Sequence, residues 1–314
     1  MNKIELGLTI FLLGTIIAGM KMTPPVQKLT PPHAQKIPKD VTVHHDTRID
    51  DYYWLKERDT QPVLDYLKAE NDYTFAKMKH TELLQKTLYN EMRGRIKEDD
   101  TTVPYKFGNY MYYTRTEENL QYDIYCRKLG NSSGDEEITL NMNEMAKKHD
   151  YIDLSAYKIS PNEKLLALTI DTSGAELYKL IIKDIKTGEI LDDHLSNLDG
   201  SVEWANDNKT LFYTVLDKAH RSYQLWRHEL GNKQSDDVLV FQEDDDRFSV
   251  GLHRTKSGEF LKMDLESQIT TEVYLLDRND PFGEWQLVQP REQGVEYYVY
   301  QRGDYLYQIT NKDA

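Results

Sequence analysis

Residues 130–134, Gly-Asn-Ser-Ser-Gly, are the one match in the sequence to the G-x-S-x-G pattern of a serine nucleophile, with Ser132 at its centre. Such a serine attacks a carbonyl carbon when a sharp turn from a strand into a helix lifts it above a sheet. Here the pattern runs into acidic residues 135–137, and no alternation of strands and helices follows. We therefore interpret it as a polar loop between strands, and the sequence assigns no catalytic residue.

Two other groups contain metal-binding residue types without the spacing that a metal site needs. His44, His45 and Asp46 are adjacent, and neighbours on an extended segment point to opposite sides, so we interpret them as surface residues. The acidic run at residues 243–246 lacks the glycine and the alternating ligands of a calcium loop. We interpret this run as a solvated turn, and the sequence predicts no metal site and no cofactor.

The composition of the 314-residue chain is that of an ordinary folded protein. Its 39 Lys and Arg against 53 Asp and Glu give a formal net charge of −14. Such a charge repels a polyphosphate backbone, so nucleic acid is not expected as a partner. A single cysteine, Cys126, supports neither an internal disulfide nor a structural zinc site, so stability must come from packing.

An uncharged, apolar run covers residues 6–20, between Glu5 and Lys21. A helix of this length is about 22 Å long, shorter than the ~30 Å hydrocarbon core of a membrane. We interpret residues 1–22 as a signal peptide, so that the protein is exported. The alternatives are an uncleaved anchor, giving weak membrane attachment through residues 4–20, and a spurious upstream extension of the reading frame, with a cytoplasmic protein.

An arm at residues 39–98 follows a proline-rich stretch, residues 23–38, that is predicted to be an extended linker. Within the arm, apolar residues recur at helical spacing from Thr60 to Met92. Thr60 can cap the start, Pro62 suits the first turn and Gly94 closes the end. Because polar residues fill the other face, we expect this amphipathic helix to lie against something large.

Beyond residue 102 the pattern changes to short β-branched and aromatic runs separated by turn-forming residues, which predicts an almost wholly β region. Four runs align as a weak repeat at intervals of 56, 45 and 48 residues, near the ~40 to 50 residues of a four-stranded propeller blade. The runs begin at Tyr122, Tyr178, Tyr223 and Thr271 and end at Leu129, Ile185, Leu230 and Arg278.

A turn precedes the central strand of three of these units. The turns lie at residues 160–163, 206–208 and 256–258, ahead of strands predicted at 165–170, 211–215 and 260–263. A fifth unit opens at residues 297–300 and continues through 305–309. We therefore predict a mainly β fold: an incomplete β-propeller of about four and a half blades, of a seven-bladed type, at residues 99–314, after an α-helical N-terminal arm. The chain is expected to end inside this domain.

Residues 47–55, Thr-Arg-Ile-Asp-Asp-Tyr-Tyr-Trp-Leu, and the segment 63–71 resemble the N-terminal signature of oligopeptidase B in the prolyl oligopeptidase family of serine peptidases. Residues 202–207 and 223–228 are similar to blade segments of the same family, and the resemblance covers roughly Pro32 to the end. It implies a seven-bladed propeller placed between the arm and an α/β-hydrolase domain with a Ser, Asp and His triad. The arm would pack on that domain, and the propeller would admit only short peptides.

The oligopeptidase B branch cleaves after Arg or Lys, with acidic pockets that lie largely in the hydrolase domain. This sequence has no segment matching that domain, so no triad or specificity residue is carried over. Two functions are open. The chain is the propeller part of an oligopeptidase, gating access of short peptides to a separately encoded hydrolase domain and inactive alone. Alternatively, it is a non-catalytic propeller module that binds peptides or proteins.

Overall fold

The computed structural model describes residues 29–130 and 134–314. They form two compact units, one ending at Ile96 and the other running from Lys97 to Ala314. The signal segment predicted at residues 1–22, the start of the linker and Ser132 lie outside the described residues. Within 29–130 and 134–314, no helix is both long and apolar enough to cross a membrane.

The arm begins with an antiparallel hairpin formed by β1 (Lys39–Val43) and β2 (Asp46–Asp50). His44 and His45 form its two-residue turn, with φ angles of 52° and 64°. The two histidines are exposed, as predicted, but the extended conformation expected for them is wrong. A turn with two positive φ values follows the right-handed twist of the flanking strands, which explains why the chain adopts it here.

Two helices follow, where the sequence predicted one continuous helical stretch. After a 3-10 turn at Tyr53–Lys56, α1 covers Gln61–Met78 and α2 covers Glu82–Arg93. The 3-10 segment Lys79–Thr81 separates them. There the Thr81 hydroxyl donates a hydrogen bond to the Met78 carbonyl at 2.7 Å. A side chain that bonds the preceding turn in this way competes with the regular helical ladder.

The ends of the helical stretch fall where the sequence placed them. Thr60 occupies the N-cap position with an extended backbone, and Pro62 lies in the first turn. The Thr60 hydroxyl donates to the Glu57 carbonyl at 2.9 Å and caps no helical N–H, so the predicted side-chain cap is wrong. Gly94 ends α2 with a right-handed φ of −65°.

The apolar side chains of the two helices are largely exposed. Val63 is the one buried residue in α1 and α2, both of which are fully described. Phe75, Leu84 and Leu88 are 77%, 58% and 46% exposed. The arm therefore presents an apolar surface that its own residues do not cover.

The second unit is built from antiparallel sheets whose strands follow chain order. The first sheet consists of β3 (Tyr105–Phe107), β4 (Tyr110–Arg115), β5 (Ile124–Leu129) and β6 (Glu136–Asn141), followed by a short helix α3 (Met142–Ala146). The elements on either side of the G-x-S-x-G pattern are β5 and β6, which pair with each other, and not a strand and a helix. Residues 131–133 themselves lie outside the described residues, so their interpretation as a loop stays a prediction.

Seven strands form the next sheet: β7 (Asp153–Ile159), β8 (Leu165–Asp171), β9 (Tyr178–Asp184), β10 (Ile190–Trp204), β11 (Thr210–Leu216), β12 (Ser222–Glu229) and β13 (Val238–Gln242). The 15-residue β10 pairs with β9 mainly through its first part and with β11 mainly through its last part. Its register shifts around Leu198, and Gly200 adopts a φ of +106°. A bulged strand thus joins two four-stranded halves.

The last sheet consists of β14 (Ser249–Arg254), β15 (Phe260–Glu266), β16 (Thr271–Asp277) and β17 (Gln286–Gln289), and a hairpin of β18 (Tyr297–Arg302) and β19 (Tyr305–Thr310) follows. The four aligned runs of the sequence coincide with β5, β9, β12 and β16, and the predicted turns precede β8, β11 and β15. The mainly β fold is confirmed.

The core lies between neighbouring sheets. One cluster contains Trp204, Leu180 and Leu198, and a second contains Phe212, Leu252 and Leu261, so that the last two sheets share apolar side chains. Turn residues also form hydrogen bonds between successive sheets and between the two halves of the seven-stranded sheet. The Asn109 amide donates to Glu163 at 2.8 Å, the Asn162 main-chain N–H to Asn208 at 2.7 Å, and the Asn206 amide to Asn279 at 2.9 Å.

Candidate functional site

A small cavity of about 60 Å³ lies where strands from all of the larger sheets converge. Its walls come from β3, β7, the end of β10, the end of β14 and the residue directly after β16. The lining residues are Tyr105, Phe107, Tyr157, Lys158, Ile159, Glu203, Trp204, Arg254 and Arg278. Residues up to 173 positions apart thus face one space, which has room for a small polar group but not for a whole peptide.

Lys158 and Glu203 form an ion pair on one wall, with the ammonium nitrogen 2.5 Å from a carboxylate oxygen. Glu203 is 5% exposed, whereas the Lys158 side chain is partly exposed to solvent, so the ion pair is partly buried. The neighbouring Trp204 indole N–H donates to the Lys158 carbonyl at 2.9 Å. The two strands that carry these residues, β7 and β10, are therefore fixed relative to each other at the cavity.

Arg278 is the most deeply buried cation of the cavity, with 4% of its surface exposed. Its Nε donates to the Trp204 carbonyl at 3.0 Å and its Nη1 to the Gly258 carbonyl at 2.6 Å. Both acceptors are neutral. Within the described part of the chain, no carboxylate lies within ion-pair distance of this guanidinium, which leaves its charge without a direct counter-charge.

Arg254 adds a second guanidinium from the opposite wall. It is exposed, and its Cζ lies 5.0 Å from the centroid of the Phe107 ring, a cation–π contact between the last sheet and the first. Burial, and secondarily the repulsion of Arg254, lower the pKa of Arg278 to about 10, while Glu203 acts in the opposite direction. Lys158, Arg254 and Arg278 together outnumber the single carboxylate, so the cavity is cationic in a chain of net charge −14.

A larger open groove of about 980 Å³ is less suited to binding an anion. It lies beside Tyr110, Arg127, Glu137 and Glu163. Its buried arginine, Arg127, already donates to the Glu137 carboxylate at 2.8 Å and to the Glu163 carbonyl at 2.7 Å, and stacks over the Tyr110 ring at 3.9 Å. This arginine is therefore paired with a carboxylate within the protein, whereas both hydrogen-bond acceptors of Arg278 are neutral carbonyls.

The sequence assigned no residue to this cavity, but it contained a signal. The four aligned runs end at Leu129, Ile185, Leu230 and Arg278, so an arginine occupies a position where the other three units have an aliphatic residue. A charge at a position that is apolar in the other repeats points to a special role for that unit. Arg254 and Glu203 come close to Arg278 only when their separate strands fold together. The sequence therefore contains no similar signal for these two residues.

The residues that the sequence singled out lie elsewhere. His44 and His45 are in the arm, and Ser132 is outside the described residues. The acidic run 243–246 does lie between β13 and β14, as predicted, but Glu243 is not solvated. It is 5% exposed and accepts a hydrogen bond from Arg291 at 2.6 Å. The interpretation of this run as a solvated turn is therefore wrong for Glu243, because a partner from the loop after β17 neutralises it.

Comparison with known proteins connects this fold to one family. The family described as "Prolyl oligopeptidase, N-terminal beta-propeller domain" matches residues 31–314. Protease 2 of Moraxella lacunata is 36% identical over 90% of this chain, and Dipeptidyl aminopeptidase BI of Pseudoxanthomonas mexicana is 33% identical over 98%. The chain spans 42% and 45% of the length of these two relatives.

A similar result comes from solved structures. Oligopeptidase B from Leishmania major superimposes with a TM-score of 0.83 and 31% sequence identity, over 90% of this chain and 43% of that one. Oligopeptidase B from Trypanosoma brucei, with covalently bound antipain, gives a TM-score of 0.82 over the same shares. The chain therefore belongs to the prolyl oligopeptidase family and contains its N-terminal β-propeller domain.

Proposed function

We propose that this chain is the propeller part of a serine oligopeptidase and controls the access of short peptides to a hydrolase domain. The observation that carries the proposal is the family match over residues 31–314 together with a chain that spans less than half of its relatives. Residues 31–314 match the propeller domain, so we expect hydrolysis to depend on a hydrolase domain, whether it belongs to the same polypeptide or to a second one.

The sheets support the reading of residues 99–314 as an incomplete propeller. The sheet β3–β6, the two halves of the seven-stranded sheet and the sheet β14–β17 would be four successive blades, since each has four antiparallel strands in chain order. The hairpin β18–β19 would be the first half of a fifth blade. In this reading the cationic cavity lies where the inner strands of the blades meet, near the axis along which a peptide would pass.

The exposed helices of the arm support a partner domain. Leu84 and Leu88 are separated by one helical turn, and about half of each side chain is exposed. Exposing neighbouring apolar side chains to water is unfavourable in free energy, and such a surface is typical of a binding interface. In the family resemblance this arm packs on the hydrolase domain. We therefore propose that the apolar face of α1 and α2 binds a hydrolase domain, whether that domain belongs to the same polypeptide or to a second one.

Reconstitution tests the proposal. The chain is mixed with a separately expressed hydrolase domain of an oligopeptidase B-type relative, and complex formation is measured by size-exclusion chromatography with light scattering. Cleavage of a short fluorogenic peptide ending in arginine is compared with cleavage of a long unfolded polypeptide. We expect a complex in which the short peptide is cleaved and the long one is protected. Equal cleavage of both substrates in a stable complex would rule out gating.

A non-catalytic binding module is the second candidate, and the uncompensated guanidinium groups of Arg254 and Arg278 favour it. If the chain is such a module, it binds peptides as a stable monomer and forms no complex with the hydrolase domain. The same chromatography therefore separates the two functions.

A further inference from the structure

The cavity at Arg254 and Arg278 combines a charge imbalance with a shape that suits one small group. Its volume of about 60 Å³ is sufficient for a small polar group such as a carboxylate. A guanidinium donates charge-assisted hydrogen bonds to a carboxylate, and Nη2 of Arg278 is the nitrogen that is not engaged with the Trp204 and Gly258 carbonyls.

Arg278 is held in place before any ligand arrives. Its Nε and Nη1 donate to the Trp204 and Gly258 carbonyls, which hold the guanidinium between the end of β10 and the β14–β15 turn. A Cβ added to Gly258 would come within 3.3 Å of Nη1, so the close approach of backbone and guanidinium depends on this glycine. A preorganised donor loses less conformational entropy on binding than a flexible one.

Arg254 supplies a solvent-exposed counterpart. It is stacked near Phe107 and makes no ion pair with any described carboxylate. Tyr105, which is also exposed, lies on the same wall. The site therefore combines the buried cation Arg278, the exposed cation Arg254 and the aromatic ring of Tyr105. We expect such a site to bind the anionic end of a ligand from solvent while the rest of the ligand stays outside the cavity.

We propose that this cavity binds the carboxylate of a peptide, with Arg278 as the fixed donor and Arg254 as the closing one. The inference rests on the proposed function, since that function brings peptides to the axis of the propeller. Glu203 is the competing anion: it neutralises Lys158 and limits the affinity of the cavity for a second carboxylate. Peptides would then be held by an acidic end or side chain while they pass the propeller.

Binding of matched peptides to the full chain tests this. The probes are N-acetyl-tetra-alanine as the free acid and as the C-terminal amide, N-acetyl-Ala-Glu-Ala-Ala amide, and inorganic phosphate. Binding is measured by isothermal titration calorimetry. We expect the free acid to bind about tenfold more tightly than the amide, the size of one charge-assisted hydrogen-bonded contact. The glutamate peptide shows whether a side-chain carboxylate is accepted as well as the C-terminal one.

Three variants locate the effect. In Arg254→Gln the preference for the acid over the amide is lost, and in Glu203→Gln it increases. Arg227→Gln is the matched control, because Arg227 also stacks on an aromatic ring, Phe282 at 4.5 Å, but lies outside the cavity. This control retains the preference. Circular dichroism confirms that each variant is folded, and the acid and amide peptides test the wild-type chain without any substitution.

Each remaining outcome overturns the inference in a distinguishable way. Equal affinity for acid and amide refutes carboxylate recognition but leaves peptide binding, and so the proposed function, intact. Tight binding of phosphate without binding of any peptide shows a general anion site. Absence of binding of all four probes refutes the carboxylate site, while the reconstitution experiment with a hydrolase domain still decides the proposed function independently.

Discussion

The imidazole Nε2 of His228 lies 2.7 Å from Oδ1 of Asp193, although the two residues are 35 positions apart and both are buried. The other ring nitrogen, Nδ1, lies 2.6 Å from Asp237. Burial alone would lower the pKa of His228, but hydrogen bonds and charge interactions with the two aspartates outweigh it and raise the pKa to about 9. The cation therefore connects β10, β12 and the segment before β13.

This arrangement predicts a loss of stability at alkaline pH. Because the folded-state pKa is raised, the stabilisation is complete below the unfolded pKa of about 6.5 and is lost as the pH rises through about 9. We expect the free energy of unfolding, from urea titrations, to fall by on the order of 3 kcal/mol from pH 6.5 to pH 10. The His228→Gln variant should have a lower free energy of unfolding than wild type at pH 7. Its free energy of unfolding should also decrease much less between pH 6.5 and pH 10.

His194→Gln is the control for that experiment, since the side chain of His194 is 65% exposed and lies 3.6 Å from the fully exposed Asp192. This variant should follow the wild-type pH profile. If wild type and His228→Gln show the same slope between pH 6.5 and pH 10, the buried histidine is not the group responsible.

A second prediction concerns the bulge in β10. A Cβ at Gly200 would lie 2.4 Å from the Ser155 hydroxyl and 2.8 Å from its Cβ, at a backbone φ of +106°. We expect Gly200→Ala to lower the free energy of unfolding by about 2–3 kcal/mol, through steric overlap and backbone strain together. Gly188 has a φ of +77° and open space around it, so Gly188→Ala should cost only about 1 kcal/mol. Equal losses for the two variants would contradict the steric explanation.

The thiol of Cys126 should be unreactive in the folded protein. It is 1% exposed, and burial, followed by the charge of Glu136, raises its pKa to about 11. Since the thiolate is the reactive form, labelling by a disulfide reagent such as Ellman's reagent at pH 8 should be slow. In guanidinium chloride one thiol per chain should react at once. Rapid labelling under native conditions would show that the first sheet opens readily.

The apolar face of the arm gives a prediction about assembly. Leu84→Asp should abolish the complex with a hydrolase domain, because Leu84 is 58% exposed and would lose its apolar contact there. Lys86→Asp, on the other side of the same helix, should leave the complex intact. Both substitutions are at exposed positions, so the thermal unfolding of the free chain should change little. Association of the Leu84→Asp variant with wild-type affinity would place the interface elsewhere.

The chain alone should not hydrolyse peptides, including those with arginine or lysine before the cut. Acyl transfer needs a nucleophile, a base and an oxyanion hole, and the sequence provides no such set. A fluorophosphonate probe should therefore leave the chain unlabelled. Labelling that disappears in Ser132→Ala would contradict this and identify Ser132 as a nucleophile.

The strands of the second unit were predictable because the information is local. The runs at Tyr178, Tyr223 and Thr271 alternate side chains with a period of two and are bounded by turn residues, and each forms the third strand of its four-stranded group. The hairpin β1–β2 was missed because its two-residue turn, His44 and His45, lacks the Asn-Gly, Asp-Gly or Gly-Gly pair that usually marks such a turn.

The candidate site was not predictable for a different reason. Glu203 and Arg278 are 75 positions apart and lie on different strand groups, and their proximity depends on how the sheets are arranged in space. The burial of Glu243 could not be predicted for the same reason: its hydrogen-bond partner Arg291 is 48 positions away in the sequence. Long-range ion pairs leave no periodic signal in a single sequence.

The continuity of β10 limits where the wall of the propeller can open. Main-chain hydrogen bonds join this strand to β9 on one edge and to β11 on the other, so residues 153–242 form one continuous hydrogen-bonded sheet. The seams on either side are held by side chains and turns, such as Asn109 with Glu163 and Asn206 with Asn279. Separating the sheets at either seam would break such side-chain contacts, whereas separating the two halves of β7–β13 would break main-chain strand pairing.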